Sequence, residues 1–142
     1  MILPCFLHAQ TADRIERLLG QKTVSYKDAA LLVLEASGHL DPANNTKAED
    51  ALAFARERGW LPSNVKADDA VNLEGLSLII TQAFNIKGGL FYTIFKNPHY
   101  AYRTLVYYNI IQGRADPQMY ITGEFMLFTV NRAMYQTGSD EQ

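Results

Sequence analysis

Two stretches of this chain repeat each other's pattern at a fixed distance, and that repetition constrains the fold more than any other feature. Residues 57–84 align without a gap on residues 107–134, an offset of 50. Identities are few, Glu74 with Glu124 and Ala83 with Ala133, but the apolar positions agree closely. Trp60-Leu61 matches Ile110-Ile111, Val71 matches Ile121, and Leu76, Leu78, Ile80 and Phe84 match Met126, Phe128, Val130 and Met134. A third copy stands at an offset of 47, where Val24-Ser25 matches Val71-Asn72, and Ala29, Leu32, Val33 and Ala36 match Leu76, Ile79, Ile80 and Ala83. Each unit reads as helix, apolar turn, loop and capped helix. One such pair cannot bury its apolar face alone, so three copies are expected to pack around a shared axis.

The local signals agree with this plan. Ile15, Leu18 and Leu19 fall on one face of a helix from Asp13, which Gly20 stops. Ser25, with Asp28 three residues on, forms the opening of a second helix that Gly38 ends. Residues 41–45 read as a loop. Lys47 to Arg58 forms a third helix with Leu52 and Ala55 facing inward, closed by Gly59. Asn72 caps a helix from Leu73 to about Ile86, broken by Gly88-Gly89. Leu90 to Phe95 reads as one or two helical turns, and Pro98 suits the first turn of a helix to about Tyr108. Thr122 caps the last helix. No sustained strand alternation is present, although short extended pieces fit around Val71 and Ile121. The expectation is an all-α domain over 10–137, built from three helix–loop–helix units (13–38, 47–86 and 98–136) and followed by a tail at 138–142.

These residues also carry a family likeness. Asn109-Ile110-Ile111-Gln112-Gly113, then Ile121-Thr122-Gly123-Glu124-Phe125 and Asn131-Arg132-Ala133-Met134, resemble a surface-layer homology repeat. Units of that family run helix, a glycine–isoleucine–isoleucine–x–glycine turn, a proline-containing loop, and a second helix opened by Thr-Arg-Ala-Glu. Gly59-Trp60-Leu61 resembles the same turn, and Ser25 with Asp28 resembles the Thr and Glu of the helix motif. The likeness spans roughly Asp13 to Met134 and is similar to that of periplasmic proteins of diderm bacteria such as spirochaetes. It implies a three-unit helical bundle of the cell envelope that binds anionic wall polysaccharide in grooves between units. The chain departs from the family where an arginine helps grip the acidic sugar: no unit holds a full Thr-Arg-Ala-Glu. The basic residue is lost in two units, where Leu73-Glu74-Gly75 follows Asn72 and Gly123-Glu124-Phe125 follows Thr122, while Tyr26-Lys27-Asp28 after Ser25 is the closest copy. Two readings therefore stand side by side. One is a module that binds wall polysaccharide or a peptidoglycan-associated polymer. The other is a periplasmic adaptor for an envelope protein that kept the fold without the sugar site.

The densest candidate feature is the aromatic stretch 90–108, where Tyr100 and Arg103 are expected to be exposed and able to meet sugar rings. Trp60 is a second candidate platform, although its partner in the repeat, Ile110, favours packing. Thr122, Glu124 and Arg132 complete the candidate ligand-binding set on the third unit. Glu74 and Glu124 also suit the helix dipole without any chemistry. No catalytic residue, metal site or cofactor is expected. His8, His39 and His99 stand apart from one another without metal-ligand spacing, and Gly88-Gly89 lacks the lysine and hydroxyl of a phosphate loop.

Composition narrows the partners and the compartment. The 142 residues carry a formal charge of -2, with Lys and Arg scattered, which argues against nucleic acid and anionic lipid as partners. No apolar run is long enough to span a bilayer. The single cysteine, Cys5, permits no internal disulfide. Residues 1–9, apolar and ending in Ala9 before the polar Gln10-Thr11, resemble the end of a secretory signal peptide whose start lies upstream. A periplasmic or envelope location follows from that reading. The mass spectrum of the protein isolated from its native cells is then expected to show a mature chain beginning at Gln10; a chain retaining Met1 would refute the signal.

Overall fold

The computed structural model describes residues 12–87, 97–113 and 115–140. The signal-like residues 1–9, the Gly88-Gly89 break and the Leu90–Phe95 turn lie outside them. The described residues are helical and hold no strand. Helix α1 covers 12–19. It is followed by α2 (Tyr26–Ala36), a 3-10 turn (Pro42–Asn44) and α3 (Ala48–Glu57). Then come α4 (Leu73–Ala83), α5 (Pro98–Tyr107) and α6 (Gly123–Asp140).

Four of the helix starts, those of α2, α4, α5 and α6, carry a side-chain cap, whereas α3 opens after Lys47 without one. The Ser25 hydroxyl accepts from the Asp28 amide at 3.3 Å, Asn72 from Gly75 at 2.8 Å, and Thr122 from Phe125 at 3.1 Å. Asn97 caps α5 through Tyr100, with Pro98 in the first turn. A side-chain cap satisfies only one of the first amides of a helix, which lack intrahelical acceptors. In α2 and α4 the two amides before it reach a neighbouring loop. Tyr26 and Lys27 donate to the Asp69 and Ala67 carbonyls at 3.0 and 3.2 Å. Leu73 and Glu74 donate to Met119 and Pro117 at 2.9 and 3.0 Å. The donors are 47 apart in sequence and the acceptors 50 apart. Gly123, 50 beyond Leu73, donates to Gln21 at 3.0 Å. The extended pieces at Val71 and Ile121 reduce to isolated antiparallel bridges beside these bonds, Ser25 with Ala70 and Asn72 with Tyr120.

Helix ends share one device. After α2, α3, α4 and α5 the chain turns through a left-handed residue: Gly38, Gly59, Asn85 and Asn109. In each case that residue's amide bonds back three residues and the next amide bonds back five, as in Trp60 to Ala55 and Ile110 to Leu105. This pairing satisfies the last carbonyls and tucks an apolar or aromatic side chain under the helix. Asn85 thus ends α4 ahead of Gly88-Gly89, and Asn109 fills the place that glycine holds at Gly59. Two further differences from the sequence reading concern helix extent. The 41–45 loop contains the 3-10 turn, where the Asp41 carboxylate accepts from Ala43. Helix α6 continues to Asp140, so residues 138–140 form its last turn and not a tail.

Helix α4 lies at the centre, with nine of its eleven residues buried, as expected of a helix apolar on nearly all sides. Its buried hydroxyls, Ser77 and Thr81, bond to carbonyls one turn back. The closest helix pairings are α3 on α2 and α5 on α4, and α2 also touches α4 and α6. The start of α6 rests on the end of α1, where a Cβ on Gly123 would overlap the Leu18 carbonyl. Along α1, only Leu18 is buried; Ile15 and Leu19 are 38% and 51% exposed, unlike the uniformly inward face expected.

The two glycines of α6 make a direct test. Gly123→Ala must push backbone apart and is expected to lower stability by about 2 kcal/mol or more. A Cβ on Gly138 meets nothing within 4 Å, so Gly138→Ala is expected to raise stability by up to about 1 kcal/mol through helix propensity. Thermal melts of both variants check the pair, and equal effects would contradict the packing described.

Candidate functional site

A cleft of about 340 Å³ opens between α1, α2, the 3-10 turn and α6. Its walls are aliphatic, built from Ile15 and Leu18 of α1, Leu31 and Leu32 of α2, and Leu127 of α6. Helical spacing puts Ile15 and Leu18 on one side of α1, and the same period puts Arg14 and Arg17 beside them. Arg14 forks onto Glu35, with Nη1 3.2 Å from Oε2 and Nη2 bonded to Oε1. The Glu35 side chain is 8% exposed, so its charge is held almost entirely by that guanidinium. Arg17, Asp28 and Gln21 also line the cleft. Among the described residues, neither Arg17 nor Asp28 belongs to an ion pair.

The positions after the three caps hold no cation and face inward. Tyr26 is 4% exposed and Leu73 fully buried, while Gly123 is buried against Leu18. The Tyr26 ring occupies the space that a Cβ on Gly75 would need. Burial foremost, with the nearby Asp69 charge, pushes its phenol up to about 12 against the opposing Asn72 backbone hydrogen bond.

The structure places the six sequence-predicted residues in separate settings, and none lines the cleft. Trp60 is half-buried in an aromatic group with its ring centroid 5.1 Å from His39 and 6.1 Å from Phe54. Arg58 lies flat over Phe54, 3.4 Å from the ring centroid, and donates to the Phe54 carbonyl at 3.1 Å. His39 Nε2 donates to the Ala83 carbonyl at 2.9 Å. Tyr100 is half-buried on α5, packed against Leu78 and Ala101, with His99 beside it at 5.8 Å. Arg103 is exposed on the same helix. Thr122 and Glu124 are exposed at the start of α6, the first as its cap and the second in its first turn. Arg132 Nη1 donates to the Ile110 carbonyl at 3.3 Å, which braces the turn after α5. His99 Nδ1 lies 3.6 Å from Glu74 Oε1 across α4 and α5.

Sequence reasoning named Asp28 only as a helix opener and did not name Arg14, Arg17 or Glu35. The usable signal was two arginines flanking the apolar stripe of α1. The partner of Arg14, Glu35, lies 21 positions away, which local spacing cannot supply. Among the described residues no three metal-binding side chains gather, and no helix is long and apolar enough to cross a membrane.

Comparison of the chain with protein-family models, with curated proteins and with solved structures found no match in any of the three.

The Tyr26 phenol links stability to alkaline pH. Its folded value of about 12 exceeds the ordinary 10.0 of an unfolded tyrosine. Its contribution is therefore complete below pH 10 and is lost as pH rises through 12. A shift of this size amounts to about 2–3 kcal/mol. Denaturant melts between pH 9 and roughly pH 12 should show a smaller loss of stability for Tyr26→Phe than for the parent chain; identical slopes would contradict the burial of the hydroxyl.

Proposed function

We propose that this chain is a non-catalytic module of the bacterial cell envelope. It is a surface-layer-homology-like bundle of three units that serves as a periplasmic adaptor for another envelope protein. The observation that carries this reading is the burial of Tyr26, Leu73 and Gly123 where the family places sugar-gripping arginines. A buried tyrosine, leucine and glycine cannot hold an anionic polymer at those places. The three-unit reading draws support from the matched amide-to-carbonyl bonds of Tyr26, Leu73 and Gly123. The adaptor reading draws support from α6, whose Phe128 and Tyr135 are 55% and 73% exposed, seven residues apart on one side of the helix.

Glycan binding is the second reading, and one observation favours it. Trp60, His39 and Phe54, with Arg58 over them, offer aromatic faces and a fixed cation of the kind that stacks on sugar rings.

Two measurements separate the readings. Purified wall sacculi are expected to leave the protein in the supernatant, while a photo-crosslinker at position 135 in living cells gives one discrete protein adduct. Sedimentation with sacculi that Trp60→Ala abolishes would instead establish the glycan reading and remove the adaptor.

A further inference from the structure

We propose that the cleft between α1, α2 and α6 binds a small zwitterion with an aliphatic side chain, of the free apolar amino acid class. Its volume of about 340 Å³ sits at the lower end of small-ligand pockets, which run roughly 300–1,000 Å³. Among the described residues its apolar walls are leucines, an isoleucine, Ala36 and Pro42, with no aromatic ring, so they suit a branched alkyl group better than a flat one. The polar groups divide into two kinds. Arg14 and Glu35 satisfy each other through both carboxylate oxygens and serve as a fixed part of the wall. Arg17 and Asp28 bring opposite charges to the same cleft from α1 and α2, and neither is committed to an ion pair among the described residues. Gln21 adds an amide that can both donate and accept.

Charge balance selects the ligand class. A simple anion drawn to Arg17 would also meet the Asp28 carboxylate, and a simple cation drawn to Asp28 would meet Arg17. A molecule carrying both a carboxylate and an ammonium beside an alkyl group complements all three features at once. Free amino acids and the two ends of a peptide share parts of this chemistry. The blocked forms below tell them apart. This inference concerns a site separate from the α6 face and from Trp60, so it stands or falls independently of the adaptor and glycan readings.

The test uses the whole chain, titrated with leucine, N-acetyl-leucine and leucinamide, and followed by amide chemical shifts and by melting temperature. Leucine is expected to bind in the millimolar range and to move resonances of α1, α2 and Leu127. Each blocked form should bind about tenfold more weakly, the loss expected for one charge-assisted hydrogen bond. In Arg17→Gln the penalty on leucinamide should vanish while that on N-acetyl-leucine remains; in Asp28→Asn the pattern should reverse. Melts of the unliganded variants show whether either change alters folding, and Leu31→Gln supplies a variant of the wall alone. The proposal is overturned if leucine produces no shift at the cleft, if both blocked forms bind as well as leucine, or if the two charge variants leave the selectivity unchanged. Tight binding of N-acetyl-leucine alone would mark the cleft as a site for a peptide carboxyl end, and would also overturn it.

Discussion

The first amides of a helix are donors without partners, and in this chain they hold the helices together. Tyr26, Lys27, Leu73 and Glu74 would each leave a backbone amide unsatisfied if α2 and α4 stood alone. Each instead finds a carbonyl in a loop further along the chain. The side-chain caps at Ser25 and Asn72 handle the next amide along, so the first three helical amides of α2 and of α4 are all bonded. The loops at 65–70 and 115–120 are consequently structural parts, pinned at defined carbonyls. The same arrangement occupies the positive ends of α2 and α4, sites at which helices elsewhere receive anions.

That account explains what was legible in the sequence and what was not. Caps and left-handed endings are written locally: Ser25, Asn72, Thr122, Gly38 and Gly59 all act where a reading of neighbours puts them. Asn85 and Asn109 were harder, because asparagine reaches the left-handed region less freely than glycine and sits unmarked in a helical pattern. The repeat pattern predicted apolar positions but not their exposure. Leu78 is 2% exposed and its counterpart Phe128 is 55% exposed, since burial depends on which helix arrives outside. The cleft was illegible for the same reason. Its groups come from α1, α2 and α6, and only their meeting makes a site.

The positions after the caps are given over to packing. Tyr26 fills a hollow over Gly75, Leu73 joins the core, and Gly123 lets two backbones approach. Each of the three serves packing at the opening of a helix. Charged and aromatic side chains gather elsewhere, in the aliphatic cleft lined by Arg17 and Asp28 and around Trp60.

The contact between Gly123 and Gln21 joins residues 102 positions apart, the difference between 123 and 21. Caps and helix endings close loops of a few residues and can form as each segment is made. The meeting of α1 with α6 must wait for nearly the whole chain, and loop closure of that length carries the largest entropic cost. The cleft lies on that seam. It is therefore expected among the last features to assemble during folding. Whatever occupies it acts as a clasp on the two ends of the domain, so the kinetics of unfolding would report its occupancy.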